Sequence, residues 1–177
     1  MKTSILALLV VLAGCAGMQD AMTPSVRVFK DDFDGSIVVR QTKVGAASSL
    51  SEPIHLLGFE WSNKLPDVVF ITVGVSFRAQ SIHDVAFNAD GQIFAQLRSA
   101  SALTDIDRGG GIPVSSRRFE VPLRDFLIIA SSKIVKMRID GINDYTVSSF
   151  GPGAGDAVVN SKFGPFIDEV RKLTSKP

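Results

Sequence analysis

Residues 67–79, DVVFITVGVSFRA, decide the fold. Val69, Ile71, Val73, Val75 and Phe77 recur at period two, and Val68, Phe70, Thr72, Gly74, Ser76 and Arg78 fill the alternate positions. Successive side chains of a strand point to opposite faces, so the first set lines one face. The polar end of the second set predicts a partly wet face, as in an antiparallel sheet. Upstream, IHLLGFEWS (54–62) reaches this strand through Asn63-Lys64-Leu65-Pro66, turn residues that predict a hairpin.

Working outward, three Asp-Gly pairs mark further hairpins. Asp34-Gly35 joins VRVFKD (26–31) to SIVVRQTKV (36–44). Asp90-Gly91 joins HDVAFN (83–88) to QIFAQLR (92–98), and Asp140-Gly141 joins KIVKMRI (133–139) to DYTVSSF (144–150). VSSRRFEV (114–121) reads as one more strand. Pro122 suits a first helical position, where its missing N–H costs nothing. Leu123, Phe126, Leu127 and Ala130 then follow at helical spacing, which predicts a helix over 122–131 ended by Ser131-Ser132. A last helix is expected within 156–174, capped by Asp156 after the Gly-rich GPGAG (151–155). Its apolar stripe is Val159, Phe163, Phe166, Ile167, Val170 and Leu173, and Gly164-Pro165 should kink or split it. The long stretches 45–53 and 99–113 read as loops.

Strands come first and helices late, so the fold class is α+β: one mostly antiparallel sheet with two or three helices packed on one face. Residues 26–177 then form a single domain. About 150 residues can bury roughly 68–70% of the surface of the unfolded chain, enough for one core. With 45% apolar and 21% charged residues, wholesale disorder is excluded.

The N-terminus carries a different message. Met1-Lys2-Thr3 is a short positive region, and SILALLVVLA (4–13) is an apolar run too short to cross a bilayer permanently. This is the layout of a signal peptide over residues 1–14. Leu12-Ala13-Gly14-Cys15 resembles the lipobox of bacterial lipoproteins. The resemblance covers about the first eighth of the chain. It implies cleavage before Cys15, a thioether-linked diacylglycerol on its sulfur and usually an N-acyl chain. Cys15 is the only cysteine, so no disulfide forms within the chain. Residues 15–25 then form the lipidated Cys and a tether. Ala16 stands where inner-membrane retention in enteric bacteria usually shows Asp, so the resemblance implies the periplasmic leaflet of the outer membrane. Cleavage removes Lys2 and no acid, leaving eighteen cations against eighteen acids. A neutral chain carries no electrostatic argument for nucleic acid, and the membrane contact comes from the lipid.

Chemical motifs are sparse. His55 and His83 fall in no metal-binding pattern, and a zinc site needs three or four converging ligands. Asp31-Asp32-Phe33-Asp34-Gly35 lacks EF-hand spacing and reads as an acidic turn. Asp105-Ile106-Asp107 has alternate spacing in a Gly-rich loop. No G-x-S-x-G elbow appears. Arg108-Gly109-Gly110-Gly111 lacks the Lys-Ser/Thr of a phosphate loop, and Asp156 spoils an anion site after GPGAG. No catalytic residue, metal ligand or cofactor is therefore assigned.

A basic surface remains. Arg117-Arg118 would meet Lys133, Lys136 and Arg138 if strands 114–121 and 133–139 are neighbours. Such a patch would bind an acidic partner, and Trp61 would anchor the contact unless it simply fills core. The expected function is a non-enzymatic, lipid-anchored envelope protein that binds a protein or envelope component. The competing expectations are an envelope hydrolase or modifying enzyme, which requires His55 and His83 to converge with acids or Ser, and a carrier of an apolar ligand, motivated by twelve Phe residues.

Overall fold

The computed structural model describes residues 23–49, 54–108 and 111–175. The signal peptide, Cys15, the tether up to residue 22, and parts of the stretches 45–53 and 99–113 lie outside the described residues.

In chain order the elements are β1 (Arg27–Lys30), β2 (Ile37–Gly45), β3 (His55–Ser62), β4 (Val68–Ser76), β5 (Asp84–Ala89), β6 (Gln92–Phe94), β7 (Arg98–Ser99), β8 (Asp105–Asp107), β9 (Val114–Pro122), α1 (Leu123–Ser131), β10 (Val135–Asp140), β11 (Tyr145–Phe150) and α2 (Asn160–Thr174). The fold is mostly antiparallel β-sheet with two helices. Among the described residues the strands form two sheets, not the one expected. The first runs β1-β2-β3-β4-β9-β7, with β8 also on β9, and the second runs β11-β10-β5-β6.

Each predicted hairpin forms. Asp90 (φ +50) and Gly91 (φ +98) make the two-residue turn between Ala89 and its partner Gln92, where both central residues need positive φ. The other two Asp-Gly pairs sit in longer loops. Gly35 N–H donates to the Asp31 carbonyl at 2.8 Å, and Gly141 N–H donates to the Asp144 carbonyl at 2.8 Å. The strand expected over 92–98 stops at Phe94. Gln96 turns left-handed (φ +57), and Arg98–Ser99 then pairs with β9 in the first sheet. That turn carries the chain from one sheet to the other.

β4 buries Val69, Ile71, Val73 and Val75 as expected, but Phe77 is 60% exposed with φ +64, because the strand ends at Ser76. Pro122 is the last residue of β9 and the N-cap of α1, with extended ψ, instead of the first helical residue. α2 is one helix containing Pro165 and starts at Asn160, four residues after the expected Asp156 cap. Its start is set by packing: Ala157 and Val159 are buried, and Val159 N–H donates to the Gly45 carbonyl at the end of β2.

Phe59 of β3 gathers the helices. Its ring lies 5.3 Å from Phe126 of α1, and 5.1 and 4.9 Å from Phe163 and Phe166 of α2. Edge-on and offset aromatic pairs of this kind add about 0.5–1.5 kcal/mol each beyond their burial. Buried residues of both sheets and both helices join one apolar cluster.

Candidate functional site

The outward positions of the first sheet hold charge where the inward positions hold core. Cross-strand pairing sets Arg27 beside Arg40, Arg40 beside Glu60, Glu60 beside Phe70, Phe70 beside Glu120 and Glu120 beside Arg98. Directly opposed residues on one face interact across strands. Glu60 receives two guanidinium groups, from Arg40 Nε at 2.5 Å and Arg118 Nη2 at 2.5 Å. Arg98 reaches Glu120 at 3.4 Å. Arg118 also stacks over the Phe70 ring at 4.2 Å, and Arg40 over Phe29 at 5.4 Å. Five cations, Arg27, Arg40, Lys43, Arg98 and Arg118, thus share one face with four acids, Glu60 and Glu120 beside the pocket and Asp105 and Asp107 toward the start of β9.

A bulge in β2 shapes the middle of this face. Gln41 pairs with Phe59 and Val44 with Leu57, so Thr42 and Lys43 together oppose the single Gly58. A Cβ on Gly58 would lie 2.9 Å from both the Gln41 carbonyl oxygen and the Lys43 nitrogen, so only glycine fits. Small Gly58 and Thr72 between long Arg40, Lys43, Glu60 and Arg118 leave a pocket of about 290 Å³. Lys43 Nζ donates to Ser116 Oγ at 3.1 Å at its rim. These lining groups hydrogen-bond and pair with anionic oxygens; guanidinium planes in particular match carboxylate and phosphate.

The residues singled out from the sequence part company here. Arg118 belongs to this face. Arg117, one position along β9, points to the opposite side and is pinned there. It donates to the Ile82 carbonyl at 2.7 Å, the His83 carbonyl at 3.3 Å and Ser99 Oγ at 3.0 Å. Lys136 and Arg138 lie on β10 in the second sheet, so the expected neighbourhood with β9 does not exist. Lys136 borders a shallow cleft with Asp90 and Ile134, and Arg138 pairs with Asp140 at 3.1 Å. Trp61 is 1% exposed and donates from Nε1 to the Pro66 carbonyl at 2.9 Å, so it fills core and anchors no surface contact. Arg40, Lys43 and Arg98 were missed. Their alternation with buried neighbours was visible, but the register that joins β2 to β3 across a long connection was not.

The histidines separate. His55 is fully buried, with Nδ1 2.7 Å from Ser148 Oγ and Nε2 2.7 Å from Thr146 Oγ1. Ser148 Oγ donates to the Ala46 carbonyl at 2.9 Å, so its hydroxyl accepts from His55 Nδ1–H. His83 is exposed before β5. Neither lines the pocket. No group of three or more His, Cys, Asp or Glu comes together among the described residues. An apolar notch of about 200 Å³ lies between α1 and α2, lined by Leu127, Phe166 and Val170.

No protein-family model matches the chain, and no curated protein matches it. Among the described residues, no helix is long and apolar enough to cross a membrane.

Proposed function

We propose that this chain is a lipid-anchored protein of the bacterial cell envelope that binds a partner without catalysing a reaction. Leu12-Ala13-Gly14-Cys15 supports acylation of Cys15, and the residue after it supports the periplasmic leaflet of the outer membrane. Residues 26–177 act as one domain. In this reading the two helices cover one face of the first sheet through Phe126, Phe163 and Phe166, and leave the opposite face for docking. The anchor confines the domain to a thin layer, which raises its effective concentration for partners in that layer.

The observation that carries the docking role is the convergence of Arg40 and Arg118 on Glu60 beside Lys43, on a face the core does not use. A chain whose mature charge balances nevertheless sets three cations, Arg40, Lys43 and Arg118, against one acid, Glu60, around the pocket. Its partner presents carboxylates or phosphates, either on a protein or on another envelope component. Glu60 is only 19% exposed, so its charge is removed together with the two arginines, which leaves no uncompensated carboxylate behind. The test is cross-linking in intact envelopes followed by capture of the lipidated protein. Arg40→Ala and Arg118→Ala combined with Glu60→Gln should lose the captured partner while the melting temperature stays within a few degrees. Equal capture by that variant would reject this face.

A further inference from the structure

The N-terminal strand is held before it leaves the fold. Gln41 Nε2 donates to the Pro24 carbonyl at 3.1 Å, and Lys162 Nζ donates to the Thr23 carbonyl at 3.1 Å. Lys162 lies in the first turn of α2, next to Val159, which is bonded to Gly45 at the end of β2. The chain therefore departs at the end of the first sheet where β2 finishes, β3 starts and β4 stops. Only seven residues lie between Cys15 and Thr23, which is eight Cα–Cα steps. Fully extended they reach at most about 29 Å.

The same end carries exposed apolar side chains. Phe77 follows β4, and Ile54, whose carbonyl accepts from Ser76 N–H at 3.0 Å, precedes β3. Ile106 of β8 and Ile112 flank the start of β9. Ile142 and Tyr145 belong to the β10–β11 turn, drawn to this end by the Arg78–Asp144 pair at 3.2 Å. Phe77, Ile142 and Tyr145 are 60%, 73% and 65% exposed. Phe77 holds its exposed ring at φ +64, a conformation that bulky residues avoid. Strain of this kind concentrates at sites of function.

Resting on the acylation of Cys15 proposed above, we infer that this end of the molecule, with Phe77, Ile142, Tyr145 and Ile54 foremost, lies in the headgroup layer of the bilayer that holds the anchor. The occupant is a lipid surface because the short tether leaves from the very end that exposes these side chains. Aromatic and aliphatic side chains bury themselves about 5–10 Å into that layer. Two cations, Arg78 and Arg108, face three acids there, Asp105, Asp107 and Asp144, so no net positive charge draws this end to an anionic bilayer and the contact is apolar. The basic sheet face then stands upright, clear of the membrane and open to partners.

The test uses the acylated protein in vesicles of phosphatidylethanolamine and phosphatidylglycerol. Cys15 is blocked by its thioether, so single cysteines placed by Phe77→Cys, Ile142→Cys or Phe33→Cys take a fluorophore alone. Phe33 is 98% exposed in the β1–β2 turn, at the other end of the sheet, and serves as the control. Spin-labelled lipid should quench positions 77 and 142 several-fold more than position 33, and no more at low salt than at high salt. Phe77→Asn should keep or raise the melting temperature while quenching at 142 falls. Equal quenching at all three positions, or strongest quenching at 33, overturns the inference. So do unquenched labels at 77 and 142 with a dimeric mass, which would show a second copy covering this end. A free thiol at residue 15 in the intact mass overturns the inference through the loss of its anchor, and is distinct from an acylated protein whose labels stay unquenched.

Discussion

Ser148 is a small residue with a large structural duty. Its hydroxyl accepts from His55 and donates to the Ala46 carbonyl, all within a buried region between β3 and β11. Ser148→Ala removes two buried hydrogen bonds, one to His55 and one to the Ala46 carbonyl. Each buried group left unpaired costs roughly 1–3 kcal/mol, so a drop of several degrees in the thermal midpoint is expected, and an unchanged midpoint would contradict the bonding given above. At the surface, Asp34 pairs with Lys64 and accepts from Ser36, and these bonds lower its carboxyl from 3.8 to about 2. Asp90, accepting from the Lys133 and Ile134 N–H groups, is lowered for a similar reason. As acid is added, the unfolded chain takes up the Asp34 proton first. Its stabilisation is therefore complete above 3.8 and lost as pH falls toward 2. The urea midpoint of Asp34→Asn should lie below that of the parent at about pH 5, and the gap should close on acidification through that window. A gap that widens in acid would contradict the assignment. None of these partners was legible in the sequence beyond the local Asx-type turns, because Ser148 meets His55 across 93 residues.

Elements were more legible than their neighbours. The strict alternation in 67–79 and the Asp-Gly pairs identified the hairpins, since both signals are local. The short β7 and β8 escaped notice because two- and three-residue strands in a Gly- and Ser-rich stretch have no periodicity of their own, and they exist only as partners of β9. Trp61 is ambiguous for another reason: its strand position was right, but which face was core depended on the helices reaching Phe59. The β2 bulge shows how one glycine shapes an element. Gly58→Ala would press a methyl into the Gln41 and Lys43 backbone, and overpacking of this kind costs about 1–3 kcal/mol. Loss of stability with a collapsed or displaced bulge in the amide spectra is expected; full stability would mean the bulge is free to move. Phe59→Ala removes the ring that both helices share and should cost roughly 3–5 kcal/mol, read as a shifted denaturation midpoint with the α1 and α2 amides exchanging fastest.

At the scale of the molecule, charge and anchor decide the function proposed. The two arginines of 117–118 were legible as a basic pair, but a strand sends consecutive residues to opposite faces. Arg118 joined a cationic face while Arg117 braced the inner connections. The assembly of that face from β2, β3, β4, β7 and β9 depends on strand order, which no local pattern encodes. The end that exposes Phe77 and releases the chain at Thr23 is likewise a product of topology. The proposed docking role and membrane orientation both rest on the attachment proposed at Cys15, and the intact mass of the protein extracted from bacterial envelopes tests that attachment. A polypeptide of residues 15–177 carrying a diacylglycerol and an acyl chain is the expected result; a full-length polypeptide, or a cleaved one with an unmodified thiol, would contradict the anchored role.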